Sequence, residues 1–171
     1  MNYSTLLTAG AALLTAACAS TPLVVPDTLR PATSETLATT VGARGVQIYE
    51  CRARKDGGYE WAFVAPDADL LDAQGKAIGR HGAGPYWQSA DGSRVVGTVT
   101  ARADAPAPGA IPWLLLSTKS SGPAGAFSNV TSIQRVNTVG GVAPATPCTA
   151  QFAGTPARVP YTADYRLFTA R

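Results

Sequence analysis

Turn-forming residues recur along this chain at intervals too short to leave room for long helices. Asp56-Gly-Gly58, Gly75, Gly82-Ala-Gly-Pro85, Ala90-Asp-Gly-Ser93, the proline-rich stretch from Ala103 to Pro112, Ser120 to Gly125 and Gly140-Gly141 punctuate it. Glycine reaches positive φ without a Cβ clash and proline removes a backbone donor, so each of these points ends a regular element. Between them the apolar residues alternate. Tyr59, Trp61 and Phe63 share one face of one segment, and Tyr161, Ala163, Tyr165 and Leu167 share one face of the last. The expectation is a mainly β protein, a single-domain antiparallel sandwich or barrel-like fold of about seven to nine short strands. With 46% hydrophobic and 15% charged residues, 171 residues suffice for one hydrophobic core.

In chain order, Val46 to Arg52 is a first strand candidate, and Tyr59 to Ala65 a second whose three aromatic rings are expected in the core. Pro66 to Gly75 reads as a loop. Its Asp67, Asp69 and Asp72 lack the spacing of an EF-hand, which makes an Asx-turn or a solvated loop the better reading than a metal site. Lys76 to His81 and Tyr86 to Gln88 flank a glycine turn and are followed by Arg94 to Arg102. There Val95, Gly97, Val99 and Ala101 share a face opposite Arg94, Thr98, Thr100 and Arg102. Trp113 to Leu116 is a buried strand. Val130, Ile133 and Val136 fit a helical stripe, but β-branching assigns Val130 to Val136 to a strand, with Arg135 and Asn137 in a buried or edge-strand polar network.

The first seventeen residues carry no charged side chain, and their apolar run from Leu6 to Ala17 suits an export signal and is too short to span a bilayer. The run ends Leu14-Thr-Ala-Ala-Cys18, which resembles the lipobox of bacterial lipoproteins. That resemblance implies acylation of Cys18, contact with the membrane through lipid, and a periplasmic outer-membrane lipoprotein. The alternative is ordinary cleavage nearby, with Cys18 discarded. The expected organisation is a signal peptide over 1–17, a lipidated N-terminus and tether over 18–40, and one β-rich domain over 41–171. Cys51 and Cys148 then remain as an even pair in an oxidising compartment, without a CxxC motif, and a disulfide between them is the default.

Several segments in order resemble one family. Tyr49-Glu-Cys51, Trp61-Ala-Phe-Val-Ala-Pro66, Gly79-Arg-His81 with Ala83-Gly-Pro85 and Trp87, Asp91-Gly-Ser-Arg-Val-Val-Gly97, Ile111-Pro-Trp-Leu-Leu-Leu116, Thr131-Ser-Ile-Gln-Arg-Val-Asn-Thr138 and Val159-Pro-Tyr-Thr-Ala-Asp-Tyr165 are similar to the domain of unknown function 3455 family. The resemblance runs from roughly residue 40 to the C-terminus and implies an exported protein with no activity to carry over. Gly82 departs from the family pattern, in which an aromatic stands beside the histidine.

His81 is the single histidine, so it is the one side chain whose ordinary pKa lies near neutrality. Its simplest role is structural, a ring hydrogen-bonded to backbone in a tight glycine turn. Two functional readings stand beside that. In the first, a non-catalytic module binds a small molecule, a glycan or an envelope protein through a groove formed by His81, Tyr86, Trp87 and Arg80 or Arg94. Aromatic faces would stack on the ligand and arginine would supply a fork for carboxylate or phosphate. In the second, a hydrolase-like enzyme uses His81 as base, with Asp91 or Glu50 as its partner. One histidine, few carboxylates and no GxSxG elbow favour the first. No cofactor or metal is expected, since one histidine beside oxidised cysteines makes no ligand set. The net charge of +3 is spread over scattered lysines and arginines, which disfavours a nucleic-acid partner.

Overall fold

The computed structural model describes residues 23–171; the stretch expected as an export signal and Cys18 lie outside them. Eight strands form: β1 Glu35–Ala53, β2 Tyr59–Leu71, β3 Ala77–Gly82, β4 Tyr86–Ser89, β5 Arg94–Ala103, β6 Trp113–Ser120, β7 Val130–Gly140 and β8 Pro156–Ala170. Each pairs antiparallel with the next, and β8 returns along β1 to close the ring. Of the two expected arrangements, the barrel-like ring is therefore the one formed. Closure satisfies both edges of every strand, and eight strands enclose a space that side chains can nearly fill.

The period of two sorts residues into the interior. In β8, Tyr161, Ala163, Tyr165 and Leu167 are all buried, as their alternation predicts. Val41, Leu70, Trp87, Val95, Leu116 and Ile133 meet them from the other strands, and Phe127 with Val130 close one end. That end is the floor. The opposite end, where β1–β2, β3–β4, β5–β6 and β7–β8 connect, is the mouth.

β2 starts at Tyr59 as expected but passes its expected end. It runs on to Leu71, through the stretch expected as a loop, with Asp67 opposite Val46 and Asp69 opposite both Arg44 and Arg80. Arg80 reaches both carboxylates and Arg158 a second oxygen of Asp67 at 2.6 Å. Aspartates disfavour strands in general, but cross-strand arginines supply the partners that local sequence does not reveal. Only Asp72 behaves as an Asx-turn, accepting from the Gln74 and Lys76 amides at 3.0 and 2.9 Å. The first half of β2 stands at the mouth, above the packed interior. Phe63 is 53% exposed, so the expected aromatic core face is a rim instead. Alternation identifies a face, not whether anything packs on it at that height.

A second small core lies outside the ring. Leu29, fully buried, ends a short 3-10 turn and packs with Trp113 and Val136, while Gln134 donates from Nε2 to the Leu29 carbonyl. Packing thus begins upstream of residue 41, inside the stretch expected as a tether. The Cys51–Cys148 disulfide is formed, with the two Cα atoms 5.5 Å apart, and ties the β7–β8 connection to the end of β1.

Candidate functional site

The hairpin of β3 and β4 carries most of the candidate residues, and its pleat divides them. His81 stands opposite Trp87, and both point inward. Their rings stack with centroids 4.3 Å apart and planes at 20°, and Tyr165 meets them edge-on at 5.0 and 5.2 Å. Arg80 and Tyr86, one residue away from each, face outward. Arg80 is held by Asp67 and Asp69, and the Arg94 guanidinium lies 4.0 Å from the Tyr86 ring centroid. The structure therefore brings His81 and Trp87 together and leaves Arg80, Tyr86 and Arg94 on the outer face. A single groove of all five does not form, because neighbours in a strand alternate between faces. At Gly82, a Cβ would stand 2.7 Å from the Tyr86 ring, so Tyr86 occupies the place a side chain would need.

His81 is 3% exposed, and its Nδ1 lies 2.7 Å from the Tyr86 carbonyl oxygen. A carbonyl only accepts, so Nδ1 carries the proton and donates it, and in the neutral ring Nε2 is bare. Burial pushes the His81 pKa down to about 3; the bond to Tyr86 works against this and the charge of Arg135 adds to it. Neither proposed acidic partner reaches the ring. Asp91 caps the turn at the floor, accepting from the Ser93 amide and hydroxyl and from the Ala126 amide. Glu50 faces outward and pairs with Arg52 at 2.9 Å.

Above the His81–Trp87 stack the ring encloses a cavity of about 700 Å³ that opens at the mouth. Its walls are largely apolar, and Tyr49, Phe63, Trp87, Tyr165 and His81 contribute rings to them. The charged side chains in its lining are both arginines, Arg102 and Arg135, and no carboxylate joins them. A bulge between Val99 and Ala101 lets Arg102 line the cavity alongside Val99, against the simple alternation expected for that strand. Arg135 sits in register with Leu114 and Tyr165 and turns inward with them. Its Nε and Nη2 donate to the Pro112 carbonyl at 3.1 and 2.8 Å, and among the described residues it has no ion-pair partner.

Two buried donors of the same lining, Gln47 Nε2 and Trp87 Nε1, make no hydrogen bond. Gln47 acts on the nearby Tyr161 hydroxyl, but without the geometry of an ordinary bond. Both nitrogens are covered by packed atoms, so they are buried within the wall rather than presented to the open space of the cavity. The mouth is braced around them: the Tyr49 hydroxyl donates to the Gly141 carbonyl at 2.7 Å and Trp61 Nε1 to the Thr146 carbonyl at 2.8 Å. Among the described residues no cluster of three His, Cys, Asp or Glu side chains forms a metal-ligand set.

Sequence reasoning singled out His81 and Trp87 but missed Gln47, Tyr49, Arg102 and the cavity role of Arg135. One signal was available: Arg135 lies in phase with Ile133, two residues away in β7, and so belongs to its buried face. Asn137, expected in the same network, adopts φ 50° beside a register shift and donates outward to Asp164 at 2.8 Å.

An antiparallel ring of eight strands with a lined cavity open at one end defines a small barrel-like domain. The chain belongs to the DUF3455 family, described as a protein of unknown function, whose model matches residues 31–169. No curated protein and no solved structure matches the chain.

Proposed function

We propose that this protein is a non-catalytic binding domain that holds a small organic molecule in the mouth of its barrel. The observation that carries this reading is the cavity itself, open at the mouth, walled by apolar and aromatic side chains and lined by two arginines without a carboxylate. Pockets of a few hundred cubic ångströms with apolar walls and few polar groups suit small ligands. The outer residues Arg80, Tyr86 and Arg94 have less support as a site, since Arg80 is engaged by carboxylates and Arg94 and Tyr86 by each other. Catalysis by His81 also has less support. A base needs a pKa near the working pH and a proton partner, and burial removes the first while Asp91 and Glu50 are engaged elsewhere.

The domain acts outside the cytoplasm, as a periplasmic lipoprotein held at the outer membrane through Cys18. The leader, the lipobox-like Leu14 to Cys18 and the joined Cys51 and Cys148 support this reading. Two experiments test the proposal. Thermal unfolding of the full chain against metals, glycans, organic acids and apolar small molecules should raise the midpoint with at least one organic compound. Val99→Trp, which places bulk at the rim, should abolish that shift; no shift from any organic compound would end the binding reading. Cys18→Ser should release the chain from the membrane fraction of a Gram-negative host, and unchanged fractionation would remove the lipid anchor.

A further inference from the structure

The cavity is electrically one-sided. Two arginines line it with no carboxylate, whereas Arg52, Arg54, Arg80 and Arg158 on the outer surface each have an acidic partner. Arg135 is half-buried, and the groups it engages, the Pro112 carbonyl and the Tyr165 hydroxyl, are both neutral. A guanidinium withdrawn from water and given no counter-charge leaves positive potential in the space before it. Four interior groups register that field: Arg135 lowers the pKa of Tyr49, Tyr161 and Tyr165 against the larger raising effect of burial, and adds to the lowering at His81. At the tyrosines this works toward the phenolate and at His81 toward the neutral ring, so in every case it opposes positive charge. Toward the rim the lining becomes apolar, with Phe63, Val64 and Val99 all at least 44% exposed.

We propose that the cavity takes an organic acid, whose carboxylate is received by Arg135 and whose apolar body lies against Tyr49, Phe63 and Trp87. Resting on the binding function proposed above, this assigns its ligand class. A carboxylate has only acceptors, and the guanidiniums of Arg102, near the mouth end of β5, and Arg135 offer it charged N–H donors that no carboxylate of the lining occupies. Inorganic anions fit poorly, because they would leave the aromatic walls wet.

The test is a set of matched pairs on the purified full chain, read by isothermal titration. Benzoate, 3-phenylpropionate, hexanoate and decanoate are each compared with the corresponding primary amide, and acetate and phosphate serve as anions without a body. At least one acid should bind about tenfold or more tightly than its amide, since a charge-assisted bond to arginine is lost in the amide. Acetate and phosphate should bind more weakly than that acid. Arg135→Gln should erase the preference, and Arg135→Lys should keep part of it through charge without the fork. Because Arg135 also holds Pro112, its variants are checked by circular dichroism; the acid and amide comparison on the unaltered chain decides the matter even if they unfold. Amides binding as tightly as acids, phosphate binding as tightly as the best acid, or a preference unchanged in a folded Arg135→Gln would overturn the ligand class and leave a binding cavity standing. Binding by no acid and no amide would overturn the binding function as well.

Discussion

Lowering the pH from 7 to 5 should destabilise the domain by about 2 kcal/mol through His81 alone. His81 is the single histidine of the chain, is 3% exposed, and is kept neutral by burial until about pH 3. In the unfolded chain the same ring takes up a proton near pH 6.5. Between those values the unfolded state binds one more proton than the native state, so stability falls as pH falls, by about 1.4 kcal/mol per unit. The contribution is fully present above pH 6.5 and is lost progressively down to about pH 3. At pH 7 the loss is about 0.2 kcal/mol and at pH 5 about 2 kcal/mol, a result that changes little for any native value below about 4. The assay is urea unfolding at both pH values and one ionic strength, followed by far-UV circular dichroism, because the stack on Trp87 would make tryptophan emission follow the ring itself. His81→Gln keeps a donor for the Tyr86 carbonyl and does not titrate. Carboxylates contribute equally to both proteins and cancel in the comparison. If the two proteins lose the same stability between pH 7 and pH 5, His81 is not buried as a neutral ring and the account of the cavity floor is wrong.

Other perturbations have defined outcomes. Replacing Cys51 and Cys148 together by serine opens a link spanning 97 residues and should cost about 4 to 5 kcal/mol in the chain-entropy picture, read as a lower urea midpoint. Gly97→Ala would set a Cβ 2.8 Å from Trp87 Cζ3 and 3.1 Å from Leu116 Cδ2. It should destabilise by about 1 to 3 kcal/mol and shift the emission of the displaced Trp87; an unchanged spectrum and midpoint would mean the indole does not pack there. Leu29→Ala should cost about 2 to 5 kcal/mol if the N-terminal segment is part of the packed fold, and almost nothing if it is a tether. The Asp91 carboxyl is held down to about 2, first by the Ser93 hydroxyl and then by the Ala126 and Ser93 amides. Its contribution is therefore present above pH 3.8 and lost as pH falls toward 2, and Asp91→Asn should flatten stability over that acid window.

What was legible in the sequence was what local rules decide. Turn chemistry at Asp56 to Gly58 and at Ala90 to Ser93 set where hairpins reverse, and the alternation from Tyr161 to Leu167 set which side chains of β8 face in. The cysteine count paired Cys51 with Cys148. The same alternation already separated Arg80 from His81 and Tyr86 from Trp87, although a groove drawn from nearness in sequence mixed the two faces. Closure of the ring was beyond local reading, because the pairing of β1 with β8 joins residues more than a hundred positions apart and has no local signature. So was the height of each residue along the barrel axis, which leaves Phe63 on a rim and Tyr165 in the core despite the same periodicity. The bulge that lets Arg102 line the cavity, and the inward turn of Arg135 without a carboxylate, depend on what the neighbouring strands supply. Residue order determines which face a side chain takes; only the closed ring decides whether that face meets packed atoms, water or an empty space with room for a ligand.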